Sequence, residues 1–98
     1  MAKDELYKFF DTKYNDFVIV PNPATNQINL SFQQSVEHET NLLILDFNGH
    51  ILQSTNLKQI NTNEMITLNV SSLSNGSYFI AVYNQDVLLK GKQFVITR

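Results

Sequence analysis

The chain has 98 residues, of which 43% are hydrophobic and 16% are charged, and its formal net charge is -2. This length predicts one domain with a single core, and the slightly acidic balance argues against nucleic acid or an anionic membrane surface as a partner. Cysteine is absent, which excludes disulfide frameworks, thiolate metal sites and cysteine nucleophiles.

Residues 1–16 differ from the rest of the chain. Asp4 is a candidate N-cap and is followed by apolar residues at helical spacing, which predicts a short helix. Residues 4–8 also match the last residues of a green fluorescent protein, so we interpret 1–16 as an N-terminal extension, favour an expression remnant, and exclude it from functional reasoning. Residues 17–98 are the predicted domain. The apolar residues at helical spacing are Leu6, Phe9, Phe10 and Tyr14.

The first two predicted strands are short and are separated by prolines. Residues 17–20 form a β-type run that must stop at residues 21–24, because two prolines there fix φ and remove two N–H donors. Residues 28–33 alternate apolar and polar side chains, as expected for a strand with one solvated face. Residues 36–39 are the predicted connection to the next strand.

A hairpin is predicted next. Residues 41–47 are apolar on both sides, and Asn48 and Gly49 predict a two-residue turn into a second arm. That arm continues through the polar residues 53–56, so we expect it at a sheet edge. A polar loop follows, and residues 65–70 alternate again, with Ile66, Leu68 and Val70 predicted to face inward.

The most apolar stretch follows a polar turn at Asn75 and Gly76. Residues 78–83 are apolar in both alternating sets, which predicts a strand in the middle of a sheet and covered on both faces. A turn at 85–86 leads to a last strand over 87–97, with a bulge or bend expected at Gly91. About seven short strands separated by turn residues predict an all-β fold, an immunoglobulin-like antiparallel β-sandwich.

Residues suited to catalysis or ligand binding are sparse. His38 and His50 are the only histidines and lie in predicted turns, and residues 37–39 have no recognised metal-ligand spacing. We therefore predict no catalytic residue, no metal site and no cofactor. A sugar-stacking platform stays open as an alternative, although half-buried packing is favoured for tyrosine on a strand. Its candidate residues are Tyr14, Tyr78 and Tyr83.

Four motifs occur in a characteristic order, at residues 20–24, 46–49, 73–79 and 92–96. On these motifs, residues 17–98 resemble the type A C-terminal sorting domain of the type IX secretion system, also called the Por secretion system. Two positions depart from that pattern: Ser77 stands where a bulkier apolar residue is common, and Arg98 ends a tail that often ends in Lys.

This resemblance implies an address label and not an enzyme. It implies a cargo protein on the N-terminal side, whose export signal we expect on a longer precursor. The implied partners are the type IX translocon, an outer-membrane shuttle protein and a sortase-like peptidase that cuts upstream of Phe17 upon surface anchoring. The implied route is transit through the periplasm and then the cell surface or the extracellular space. A carbohydrate-binding or adhesion module of a surface protein has the same fold and size and is the alternative.

The resemblance also places a sorting and recognition motif, which we predict to be read mainly over residues 92–98. A last strand with unpaired backbone groups offers a receptor an added strand or a tail, and basic residues concentrate there in an acidic chain. The alternative interpretation of these basic residues is that they form a solvated face of an ordinary last strand. Pairing of edge strands in a homodimer also stays open. Gly49 and Gly76 are interpreted as structural first. The predicted motif residues are Pro21, Asn22, Pro23, Gly49, Leu73, Gly76, Tyr78, Lys90, Lys92, Phe94, Val95, Ile96 and Arg98.

Overall fold

The computed structural model describes residues 17–36 and 38–98, and in these ranges it contains seven β-strands and no helix. The helix predicted within residues 1–16 lies outside them. All strand pairs are antiparallel, and they form a three-stranded sheet in the order β1-β2-β5 and a four-stranded sheet in the order β4-β3-β6-β7. The predicted seven-stranded β-sandwich is therefore confirmed. The strands are β1 (Phe17–Val20), β2 (Gln27–Phe32), β3 (Thr40–Leu45), β4 (Ile51–Leu57), β5 (Met65–Asn69), β6 (Gly76–Asn84) and β7 (Val87–Ile96).

The core lies between the two sheets and is built from alternate residues of each strand. In β2 and β5 the predicted inward residues are buried, because a strand turns every second side chain to the same face. Phe17 of β1 and Phe32 of β2 stack with ring centroids 5.1 Å apart. The largest fully buried side chains are Phe17, Phe32, Phe94, Ile28, Leu30, Leu42, Ile44, Ile60, Ile80, Ile96, Val70 and Val82.

The β3–β4 hairpin has a longer loop than predicted. The Asp46 amide donates to the His50 carbonyl at 3.1 Å, so three residues, and not two, lie between the paired positions. The reason is the Asp46 carboxylate, whose Oδ1 accepts from the Asn48 and His50 amides at 2.9 Å each. Gly49 adopts φ 86°, and β4 is at the sheet edge, as predicted. Such a loop combines a tight turn with a left-handed residue that forms a bulge.

β6 lies between β3 and β7, which confirms its predicted central position. The prediction that both of its faces are covered is wrong. Ile80 and Val82 are buried in the core, whereas on the opposite face Phe79 and Tyr83 are half-buried and only the small Ala81 between them is buried. In a two-layer sandwich the other sheet covers one face of each sheet, so large apolar side chains on the second face stay partly exposed.

The turn at Gln85 and Asp86 is confirmed, with Gln85 at φ 55°. The predicted irregularity in β7 lies two residues before Gly91. Val82 pairs with Lys90 and Tyr83 pairs with Leu88, so the intervening Leu89 is the extra residue. Gly91 itself pairs regularly with Ala81.

Candidate recognition surface

Three of the four sequence motifs meet at one end of the sandwich, which we call the C-terminal corner: residues 21–24, 73–78 and 94–98. The Val95 amide donates to Asn22 Oδ1 at 3.0 Å, and the Val95 carbonyl accepts from the Ala24 amide at 2.7 Å. The Thr97 amide donates to the Ala24 carbonyl at 2.9 Å. The segment after β1 thus acts as a short extra strand along the end of β7.

Arg98 joins the chain end to the loop that precedes β6. Its guanidinium Nη2 donates to the Val70 carbonyl at 2.9 Å, and Nη1 donates to the Leu73 carbonyl. Its backbone amide donates to Asn75 Oδ1 at 3.0 Å, and Nε donates to Asn26 Oδ1 at 3.4 Å. A planar guanidinium can serve several acceptors in fixed directions, which explains why one exposed side chain holds this loop.

Tyr78 supports the corner from inside. Its ring is 7% exposed and stacks on Phe94 with centroids 5.7 Å apart, and its hydroxyl donates to the Ser74 carbonyl at 2.6 Å. Tyr83 lies on the opposite face of β6, an odd number of residues away. Tyr78 and Tyr83 therefore form no shared stacking platform, and Tyr14 lies outside the described residues.

The two motif glycines have backbone conformations that residues with a side chain rarely adopt. Gly76 begins β6 at φ 153° and pairs with Ile96, and Gly49 closes the β3–β4 loop at φ 86°. Gly49 lies at the same end of the four-stranded sheet as Gly76 but outside the C-terminal corner. Next to it, the Phe47 ring meets the Phe79 ring edge-on, with centroids 5.2 Å apart.

The tail alternates between buried and accessible residues as far as Ile96, and Thr97 and Arg98 after it are both exposed. Phe94 and Ile96 are 0% and 1% exposed and fill the core, whereas Val95 is half-buried and Arg98 is exposed. On the neighbouring segment Pro21, Asn22 and Pro23 are exposed. A folded domain can therefore offer a receptor one side of this tail and not its full set of side chains.

Lys90 and Lys92 lie away from the corner. They are opposite Val82 and Ile80, so their stems leave the core-facing side of β7. Both are half-buried, and Lys92 Nζ lies 5.6 Å from the centroid of the Phe17 ring, within cation–π range.

The outer edge of β7 is hydrogen-bonded to another segment only at its C-terminal end. The Val95 backbone groups are bonded to Asn22 and Ala24, and those of Gln93 and Gly91 project to the same side, because residues two apart in a strand do so. In the described part of the chain no strand pairs with that stretch. Inward-directed lysines and a bulge are common protections of an exposed strand edge, so Lys90 and Lys92 have a structural explanation besides recognition.

Sequence reasoning missed several residues that hold these motifs. Ala24 and Asn75 lie within the motifs but were not singled out, and Asn26 lies outside them; only their hydrogen bonds across the corner reveal their roles. Asp46 has a local signal that was available, since Asp at the start of a turn bonds backbone amides further along. Hydrogen bonds, above all from the His50 amide, hold the pKa of the Asp46 carboxyl below its usual range, against a smaller opposing effect of desolvation.

Over residues 17–36 and 38–98 no group of three or more His, Cys, Asp or Glu is placed to hold a metal ion. The same ranges contain no helix long and apolar enough to cross a membrane.

The comparison with known families gives one match. The family model of the secretion system C-terminal sorting domain matches residues 18–97, which include every residue of the seven strands except Phe17. No curated protein matches the chain.

Proposed function

Since the chain belongs to the family of type IX secretion C-terminal sorting domains, which is not an enzyme family, we propose that it is the address label of a longer cargo protein. The cargo precedes it, passes through the periplasm, and leaves through the type IX translocon across the outer membrane. The destination is the cell surface or the extracellular space.

The C-terminal corner is the observation that supports this proposal. The first and last motifs meet there through Asn22 and Val95, which are 73 residues apart in sequence, and the chain end is held by Asn22, Ala24, Leu73 and Asn75. The arrangement gives a receptor a defined surface that exists only when the domain is folded.

We propose that the outer-membrane shuttle protein reads this corner in its folded form. Separating the tail would bring the buried Phe94 and Ile96 side chains into water, at roughly 1.5–3 kcal/mol each. The receptor instead contacts the outward atoms of Pro21, Asn22 and Arg98. Of the predicted segment 92–98, this leaves the accessible side chains to make the contact.

The proposed cleavage by a sortase-like peptidase falls upstream of β1. Phe17 is fully buried and β1 is paired with β2 along its length, so peptide bonds inside β1 are protected in the folded domain. A peptidase that binds an extended substrate would therefore act before residue 17.

A reporter fusion tests the function. The full 98-residue chain is attached to the C-terminus of a periplasmic reporter and expressed in a host with a type IX system and in the same host without the translocon. We expect surface delivery only in the first host. Delivery in both hosts, or in neither, would refute the proposal.

Deleting the last five residues is a poor test of recognition, because it also removes Phe94 and Ile96 from the core. Lys92→Gln removes the charge and keeps part of the apolar stem, and Lys58→Gln makes the same change at an exposed position outside the motifs. If the basic residues of β7 are recognised, Lys92→Gln slows delivery and Lys58→Gln does not. Equal delivery of both variants would assign Lys92 to protection of the strand edge.

A further inference from the structure

The outer face of the four-stranded sheet carries an apolar patch with members in all four strands, next to the polar outward residues Asn41, Ser54, Asn56, Ser77 and Gln93. Leu45 pairs with Ile51 on one side and with Phe79 on the other, and Tyr83 pairs with Leu88. Paired residues of an antiparallel sheet project on the same face, so these side chains and Leu43 form one continuous surface. Phe47 extends it from the hairpin through its contact with Phe79.

These side chains are not part of the core. Phe47 is 63% exposed, Ile51 60% and Leu88 37%, and Leu43, Leu45 and Phe79 are half-buried. We call this surface the apolar outer face. Exposed apolar surface of this continuity marks an interaction site more often than scattered apolar residues do.

The other sheet shows that this is not a general property of the molecule. Its outward positions include Asn29, Ser31 and Thr67, and the Thr67 hydroxyl donates to Asn29 Oδ1 at 2.7 Å. Val18, Val20 and Met65 are exposed there; Val18 and Met65 lie on either side of Ser31 in the register, and Val20 is opposite Asn29. The four-stranded sheet also has a polar cross-strand pair, in which Asn56 Nδ2 donates to Asn41 Oδ1 at 2.8 Å, but its apolar outward residues are more numerous and extend over four strands.

The absence of charged residues on the outer face indicates which kind of partner could bind there. The outward positions of β3, β4, β6 and β7 carry no Asp, Glu, Lys or Arg. A charged partner surface would lose water here without gaining an opposite charge, and an anionic lipid surface would find no basic residue. The face fits an uncharged, apolar protein surface.

The small area of the apolar outer face favours a transient contact. Strands ~4.8 Å apart and residues ~3.3 Å apart give about 300 Å² for four strands over five residues, well below the ~800 Å² per partner of a stable interface. A lasting dimer of this chain through this face alone would need more area. A small contact area suits a domain that must be released after delivery.

We propose that the apolar outer face docks transiently on an uncharged apolar surface of the type IX secretion machinery during export. This inference rests on the proposed function and adds a second contact, distinct from the C-terminal corner. The corner identifies the domain, and the outer face holds it against the machinery while the cargo passes.

Two matched pairs of substitutions test this in the full-chain reporter fusion. Phe47→Ser with Ile51→Thr removes apolar area from the outer face, and Val18→Thr with Met65→Thr does the same on the other sheet. All four side chains are exposed, so both pairs should unfold at the denaturant midpoint of the parent chain. If the first pair does not, Leu88→Thr replaces it.

We expect the first pair to slow surface delivery by about fivefold, the effect of losing two modest interface contacts, and the control pair to leave it unchanged. Equal delivery of both pairs, or equal slowing, would overturn the inference and leave the proposed function standing. A parent fusion that never reaches the surface would instead refute the proposed function.

Two further measurements test whether a second copy of the chain or a membrane binds the apolar outer face instead. Sedimentation of the parent chain should show a monomer, and a dimer lost only in the Phe47→Ser, Ile51→Thr pair would assign the face to a second copy. Flotation with neutral phosphatidylcholine vesicles should leave the chain in the unbound fraction, and binding lost in the same pair would assign it to a membrane. Either result would overturn the inference.

Discussion

Replacing Arg98 by alanine tests whether the chain end holds the C-terminal corner together. The change removes three side-chain hydrogen bonds, to the Val70 and Leu73 carbonyls and to Asn26 Oδ1. The bond between the Arg98 amide and Asn75 Oδ1 stays in place. The loop before β6 should therefore loosen while the end of β7 remains paired.

The expected loss follows from these contacts. The Val70 bond is partly buried and charge-assisted, which corresponds to about 1.5 kcal/mol, and the exposed Leu73 bond adds about 0.5–1 kcal/mol. The Asn26 contact is long at 3.4 Å, and we assign it nothing. The free energy of unfolding should fall by about 2 kcal/mol, which lowers the melting temperature of a domain of this size by roughly 8–16 °C.

Urea unfolding of the full chain, followed by circular dichroism, measures this change. Arg98→Lys keeps the charge but can serve only one carbonyl well, so we expect about half of the loss. Lys58→Ala removes one positive charge at an exposed site and should change stability by less than about 0.5 kcal/mol. If Arg98→Ala matches Lys58→Ala, the reasoning that Arg98 fastens the corner is refuted.

Three further predictions follow from single contacts. Gly76→Ala should lower the free energy of unfolding by about 1–3 kcal/mol, because φ 153° strains any residue with a side chain. Gly91→Ala should lower it by less than about 0.5 kcal/mol, because the added Cβ makes only an ordinary contact with the Ile80 carbonyl at 3.7 Å. Equal melting temperatures of the two variants would contradict this prediction. The lowered pKa of Asp46 stabilises the fold above about pH 4 and this effect is lost as the pH falls through the lowered value, so Asp46→Asn should flatten the acid-induced decrease in melting temperature. If Asp46→Asn leaves the pH dependence of the melting temperature unchanged, Asp46 does not contribute to acid sensitivity. Asn22→Ala leaves the Val95 amide without its acceptor and should lower stability by about 1 kcal/mol, with faster amide exchange at that residue as the direct readout.

Local features of the sequence were sufficient to predict the strands. Alternation in β2 and β5, prolines after β1 and turn residues before β7 act over a few neighbouring residues, so they can be interpreted without a fold. The hairpin loop at Asp46 was predicted one residue too short, because a side chain that bonds amides further along competes with the two-residue turn favoured by Asn48 and Gly49. The bulge at Leu89 was missed for a similar reason, since it depends on the partner strand.

The sequence also predicted a last strand at a sheet edge and the order of the family motifs, but not how the motifs would meet. Arg98 finds Val70 and Leu73 across more than twenty residues of chain, and no local pattern encodes such a distance. Only the packing of two sheets decided that Phe94 and Ile96 are buried and that Phe79 and Tyr83 face outward. Periodicity determines which residues share a face of a strand, whereas the placement of the second sheet determines which face is covered.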